Sequence, residues 1–192
     1  QPHLDLEKKI RIRIGDLLLS AGHYTEAKNY FDQESLPGNK NAKVNEYTIR
    51  YLNSLLFNRE IDKPLAFLDS IILVLEPNNL FFNDLMEMHD LLVNYYFDGT
   101  RDDRLAFKSF FQAEALIRQY KILEAIEMLD YIRQEHPEAL ITPLSTLRLA
   151  LLLLESDQFE QALLTALSIE NSHLKDRVLA LAGEIEERLL GN

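Results

Sequence analysis

Two alanines twelve residues apart, Ala113 and Ala125, are followed thirty-seven residues later by a second such pair, Ala150 and Ala162. Small side chains at that spacing let the two helices of an antiparallel hairpin approach closely and let one hairpin stack on the next. The stretch that carries them, Leu105 to Ile169, therefore reads as two consecutive helix–turn–helix units, and the rest of the chain is phased from it. Ala27 and Ala66 fall on second helices in the same way, with Gly15 and Ser54 twelve residues before them. An apolar residue stands three before the alanine at Tyr24, Ile122 and Phe159, and four after it at Phe31 and Leu129. A proline follows at Pro37, Pro77 and Pro137.

The punctuation between apolar-periodic segments sets the expected helices. Leu4, Leu6, Ile10, Ile14, Leu17 and Leu18 form a helical stripe that Gly22–His23–Tyr24 interrupts, and a second helix from Tyr24 to Ser35 stops at Pro37–Gly38. Ala42–Asn58 and Asp62–Leu75 make the next hairpin, with Asp62 as N-cap and Pro64 in the first turn. Leu80–Phe97 is a helix out of phase with its neighbours. Asp102 or Asp103 then caps a helix to Gln119, and Ile122–Glu135, a helix opened by Thr142–Pro143, Gln158–Ile169 and His173–Leu190 complete the chain. The expected fold is all-α, about ten antiparallel helices in one domain over 1–192. Its units are about 4–37, 42–77, an irregular helix at 80–100, 103–137, 143–170 and a final helix at 173–190.

Composition agrees. Apolar residues make up 47% of the 192 residues, enough for a core, and the six prolines and six glycines gather at segment boundaries. The longest leucine-rich run, Leu149–Leu154, is far shorter than the ~20 residues that span a bilayer, so no membrane insertion is expected. With no cysteine, disulfides, thiolate metal sites and cysteine nucleophiles are excluded. A net charge of −11, acidic in both halves, repels phosphate backbones, so nucleic acid is not an expected partner.

Chemistry-bearing patterns are sparse. His3, His23, His89, His136 and His173 are scattered, with no pair at i, i+4, so no metal site or cofactor is expected. His136, before Pro137, suits the end of a helix. The glycines are isolated rather than gathered in a phosphate loop, and Ser172–His173–Leu174–Lys175 matches S-x-x-K without its companion motifs. Glu184, Glu186 and Glu187 read as a solvated helix face, and no catalytic residue is assigned.

The recurrence of small, aromatic and proline positions resembles the tetratricopeptide repeat, most closely in IGDLLLSAGHYTEAKNYF and LRLALLLLESDQFEQAL. The spacings Ala27 to Ala66 and Ala125 to Ala162, 39 and 37 residues, exceed the family's period of about 34. The resemblance implies a right-handed superhelix of paired helices that acts as a non-enzymatic protein-interaction scaffold. It is similar to segments of long bacterial repeat proteins of the cell envelope, which implies a periplasmic or envelope location ahead of a cytoplasmic one and a chain cut from a longer array. In that family, first helices line a concave groove. Carried over by position, the groove takes Tyr51, Phe107, Phe110, Glu114, Ile117, Arg118, Leu144, Leu147, Leu151 and Leu154. The lysine–asparagine pattern that clamps a carboxylate terminus in some family members is not matched, since Lys9 stands alone. The expected partner is a protein or peptide helix, or a second copy of the chain, held by apolar side chains. The alternative is a helical ligand-binding or enzyme domain with a pocket formed around residues 80–119.

Overall fold

The computed structural model of the protein describes residues 2–35, 44–73, 75–170 and 172–191. Among them are ten α-helices and no strand: α1 (Pro2–Ser20), α2 (Tyr24–Ser35), α3 (Glu46–Phe57), α4 (Asp62–Ile72), α5 (Phe82–Leu92), α6 (Arg101–Arg118), α7 (Ile122–Glu135), α8 (Thr142–Glu155), α9 (Phe159–Leu167) and α10 (Lys175–Gly191). The stop expected at Pro37–Gly38 and the start at Ala42 lie outside the described residues. Helix α5 runs into one π turn, Val93–Phe97, the geometry of a helix carrying an extra residue.

Local chemistry explains where the helices begin. Asn45 caps α3 by accepting from Tyr47 N at 2.9 Å, while its own N–H donates to Thr48 Oγ1 at 3.2 Å. Thr100, rather than either aspartate, precedes α6, and Asp103 returns the contact by accepting from Thr100 N at 2.8 Å and Thr100 Oγ1 at 2.7 Å. Asp103 Oδ1 also accepts from Leu140 N at 2.7 Å, fixing the α7–α8 connector against the start of α6. Burial pushes the Asp103 carboxyl up, but these hydrogen bonds outweigh it and hold the pKa below the ordinary aspartate value. His136 ends α7, and its Nδ1 lies 2.6 Å from Asp102 Oδ1.

The chain divides into two compact units, Gln1–Asp98 with Arg118–Tyr120, and Gly99–Ile117 with Lys121–Asn192. In the first, α1 packs on α2, α2 on α3, α3 on α4 and α4 on α5; in the second, α7 packs on α8, α8 on α9 and α9 on α10. The out-of-phase helix of the sequence is thus α5, the fifth helix of a unit, as α10 is of the other.

The two units repeat each other at a separation of ninety-eight residues. Four hairpin turns close on a residue in the left-handed region, Gly22 (φ 82°) and Arg59 (φ 61°) and, ninety-eight residues on from each, Tyr120 (φ 60°) and Asp157 (φ 59°). The backbone bonds around them correspond as well. His23 N donates to Leu18 O at 2.9 Å where Lys121 N donates to Leu116 O at 3.0 Å, and Glu60 N to Leu55 O at 3.0 Å where Gln158 N donates to Leu153 O at 2.9 Å. An acid on each unit's first helix pairs with an arginine thirty-four residues on: Asp16 Oδ1 with Arg50 Nε at 3.0 Å, Glu114 Oε1 with Arg148 Nε at 2.7 Å.

This correspondence corrects the sequence phasing of the second hairpin. Ala27, Ala125 and Ala162 are fully buried, but Ala66 is exposed. The close-approach position of α4 is held by buried Pro64, with Ile61 three before it and Leu68 four after. Proline fits there because a helix's first turn has no internal partner for its N–H groups. The residue twelve before Pro64 is Leu52, not Ser54, and the spacing between hairpins becomes 37 in both units.

Core volumes are traded between the copies. Gly15 lies under the ring of Phe31, where an added Cβ would stand 2.1 Å from Phe31 Cζ; the counterparts are Ala113 and Leu129, both fully buried. The missing methyl of the glycine makes room for the larger ring. The first-unit core gathers Leu19, Ala27, Phe31 and Tyr47, with Ile12, Leu18, Tyr24, Tyr51 and Phe57 packed against it.

Candidate functional site: a groove in the second unit

The apolar surface expected from the repeat positions is not open. Phe107 and Phe110 are buried, with ring centroids 4.9 and 5.6 Å from that of Phe111. Leu147 and Leu154 are buried as well, and Leu144, Leu151 and Ile117 are half-buried. Glu114 is committed to Arg148, and Arg118 Nη2 donates to Asp16 Oδ1 at 3.1 Å within the first unit. Tyr51 is half-buried with its ring 5.2 Å from that of Phe67. The cause is hydrophobic: leucine and phenylalanine at these positions are used as core, because short hairpins have little other apolar area to bury.

An open groove lies elsewhere in the second unit. Leu149 and Leu153 of α8 form its floor, Ile126, Glu127 and Asp130 of α7 one wall, and Leu164 with Gln161 and Thr165 of α9 the other, around a cavity of about 420 Å³. The spacings place each set on one helix face. Leu149 and Leu153 are buried, whereas Leu164 is 71% exposed at the rim. The charged residues that line the groove are Glu127 and Asp130 with the single cation Arg133, all of α7. That cation is already used, since Arg133 donates to Asp130 Oδ1 from Nε at 3.0 Å and from Nη2 at 2.6 Å. Arg133 also borders a second hollow of about 560 Å³ over the α7–α8 connector, lined by Leu140, Thr146, Ile169 and Glu170 among others.

At the corresponding described positions the first unit carries larger or charged side chains. Leu149 and Thr165 correspond to Tyr51 and Phe67, whose rings meet edge to face. Ile126, Gln158 and Gln161 correspond to Lys28, Glu60 and Lys63. Glu60 accepts from Lys28 Nζ at 2.9 Å, from Asn58 Nδ2 at 2.6 Å and from Lys63. The Lys63 bond above all, then Lys28 and Asn58, lower the Glu60 pKa to about 2 against the opposing effect of burial. The groove has smaller or uncharged residues, Ile126, Leu149, Gln161 and Thr165, at the places where α2, α3 and α4 carry Lys28, Tyr51, Lys63 and Phe67.

Sequence reasoning could not single out Leu164 or Ile126, since the signal is a difference between counterparts ninety-eight residues apart. Among the described residues no helix is long and apolar enough to cross a membrane, and no group of three or more His, Cys, Asp or Glu could hold a metal ion. Compared with known proteins, the sequence matches no family model and no curated protein, and no solved structure matches the fold.

Proposed function

We propose that the chain is a non-enzymatic protein-interaction scaffold of tetratricopeptide-like helical hairpins, and that the α7–α9 groove is its docking surface. The groove suits an amphipathic helix that presents aliphatic side chains to Leu149, Leu153 and Leu164 and a basic side chain to Glu127. What supports this most is the hollow itself, floored by buried Leu149 and Leu153 and rimmed by exposed Leu164, at positions where the first unit brings the rings of Tyr51 and Phe67 together. A volume of about 420 Å³ is within the range that holds a few buried side chains. The ionisable groups with displaced pKa values have structural roles. Tyr24, raised by burial and opposed by its bond from Gln119, Glu60 and Asp103 all serve hydrogen bonds that hold helices together.

The test is to fill the groove. The double substitution Leu149→Tyr and Thr165→Phe grafts the first unit's pair into the second. Binding of a fluorescent synthetic amphipathic helix of leucine and lysine should weaken at least about tenfold, the scale of a lost apolar anchor. Unchanged binding by a folded double variant, or no binding by the native chain, would overturn the proposal.

A further inference from the structure

The remaining question is what fills the groove, and α1 supplies an answer. Its inner side enters the first-unit core through Ile12, Leu18 and Leu19. Its outer side carries Leu6, Ile10, Ile14 and Leu17, which are 57, 51, 37 and 55% exposed. Spacings of four, four and three residues put all four on one stripe. Lys9 and Arg13, both exposed, flank it on one side, and the Glu7–Arg11 pair on the other. Four aliphatic side chains in a row are costly to leave in water.

The fold does not demand that stripe. Helix α6 holds the same place in the second unit, and ninety-eight residues on from Leu6, Ile10 and Ile14 it carries Arg104, Lys108 and Gln112. The counterpart of Leu17 is Ala115, which is buried, so three of the four positions are polar in α6 and the exposed aliphatic side chains at Leu6, Ile10 and Ile14 belong to α1 alone. Their pattern, aliphatic side chains with cations along one flank, is the complement of the groove, an aliphatic floor with Glu127 and Asp130 along one wall.

We infer that α1 of a second copy of this chain docks in the α7–α9 groove, with Ile10 and Leu17 against Leu149, Leu153 and Leu164, and Arg13 toward Glu127. This rests on the groove being a docking surface, as proposed above, and names its occupant. The contact is heterologous: each copy offers one helix and one groove, so association continues head to tail until a ring closes or a filament grows.

Full-length chains distinguish this from other forms of assembly. By light scattering or sedimentation, the native protein should exceed the mass of one chain increasingly with concentration. Raising salt from about 0.05 to about 0.5 M should weaken the association, because its charged flanks are exposed. Ile10→Asp removes the helix side and Leu164→Asp the groove side. Both positions are exposed, so the variants should keep native circular dichroism, and each alone should lose at least about tenfold in association. Mixed in equal amounts they should form a one-to-one pair and nothing larger, since one retains a groove and the other a helix. A native chain that stays monomeric at about 100 μM, far above the Kd range of specific interfaces, overturns the inference, as does a mixture that fails to pair. The leucine–lysine helix separates the two levels. If it binds the native chain and not Leu164→Asp while the native chain is monomeric, the docking surface stands and the second copy does not; if it fails to bind as well, both fall.

Discussion

The two units use one hairpin plan differently on the faces between their second helices. Where Tyr51 of α3 meets Phe67 of α4, and Lys28 of α2 and Lys63 of α4 hold Glu60 in the turn, α7, α8 and α9 border a cavity of about 420 Å³. Yet the hairpin turns, their left-handed residues and the acid–arginine bridge between first helices are held in common. The contrast teaches that this hairpin plan is set by backbone closure and a few close-approach positions. Residues on the faces between second helices are free to differ, and a surface for other molecules can arise there without cost to the plan.

The comparison is broken most severely at Gly15. Gly15→Ala drives a methyl into the Phe31 ring, and overpacking of about 2–3 kcal/mol should exceed the ~1 kcal/mol gained in helix propensity. The net loss, read by denaturant unfolding, should be recovered by adding Phe31→Leu, which reproduces the second unit's Ala113–Leu129 pair. A neutral Gly15→Ala would show that the two cores are not exchangeable solutions of one packing problem.

A smaller effect separates the ion network from its uncharged counterpart. With its pKa lowered to about 2 in the folded chain, Glu60 contributes stability that is fully present above the unfolded glutamate value near 4.3 and is lost as pH falls toward 2. Glu60→Gln should cost on the order of 1–2 kcal/mol at pH 7, and the difference from the native chain should vanish near pH 2. Gln158→Glu, at the matching place in the second unit, meets Ile126 and Gln161 rather than two lysines and should show no such pH-dependent gain. Acid titration of stability for the native chain and both variants decides this.

The bridges should differ least. Both are partly exposed, with side chains 20–29% accessible, so Arg148→Met should cost about 1 kcal/mol. Arg50→Met should cost about half as much, because Arg118 still holds Asp16. Equal losses would mean that Arg118 contributes nothing to Asp16.

Much of this plan was legible in the amino-acid order. Helix limits followed from Gly22 and Pro137, whereas α4 ends at Ile72, short of the Leu75 expected before Pro77; the buried alanines at 27, 125 and 162 followed from their spacing. Pro64 was missed as the fourth such position because smallness was sought in the side chain's formula. Its compact ring at a helix start serves the same close approach. The left-handed turn residues Arg59, Tyr120 and Asp157 gave no signal, since local closure there overrides a cost of about 1–2 kcal/mol that glycine at 22 avoids. The groove was misplaced for a thermodynamic reason. Phe107, Phe110, Leu147 and Leu154 match positions that face a ligand in the resembled family, but here they satisfy the chain's own demand for core.

The order of the helices also governs how quickly the protein acquires its shape. The helices that pack most extensively within each unit, α1 with α2, α2 with α3, α7 with α8, α8 with α9 and α9 with α10, are neighbours along the chain. Contacts between neighbours close short loops and bear little entropy before they are rewarded, so such chains reach the native state quickly. During synthesis the first unit, nearly all of it encoded before Gly99, is available to fold while most of the second is still being made. A helix such as α1, with an apolar stripe on its outer side, is therefore presented to solvent early.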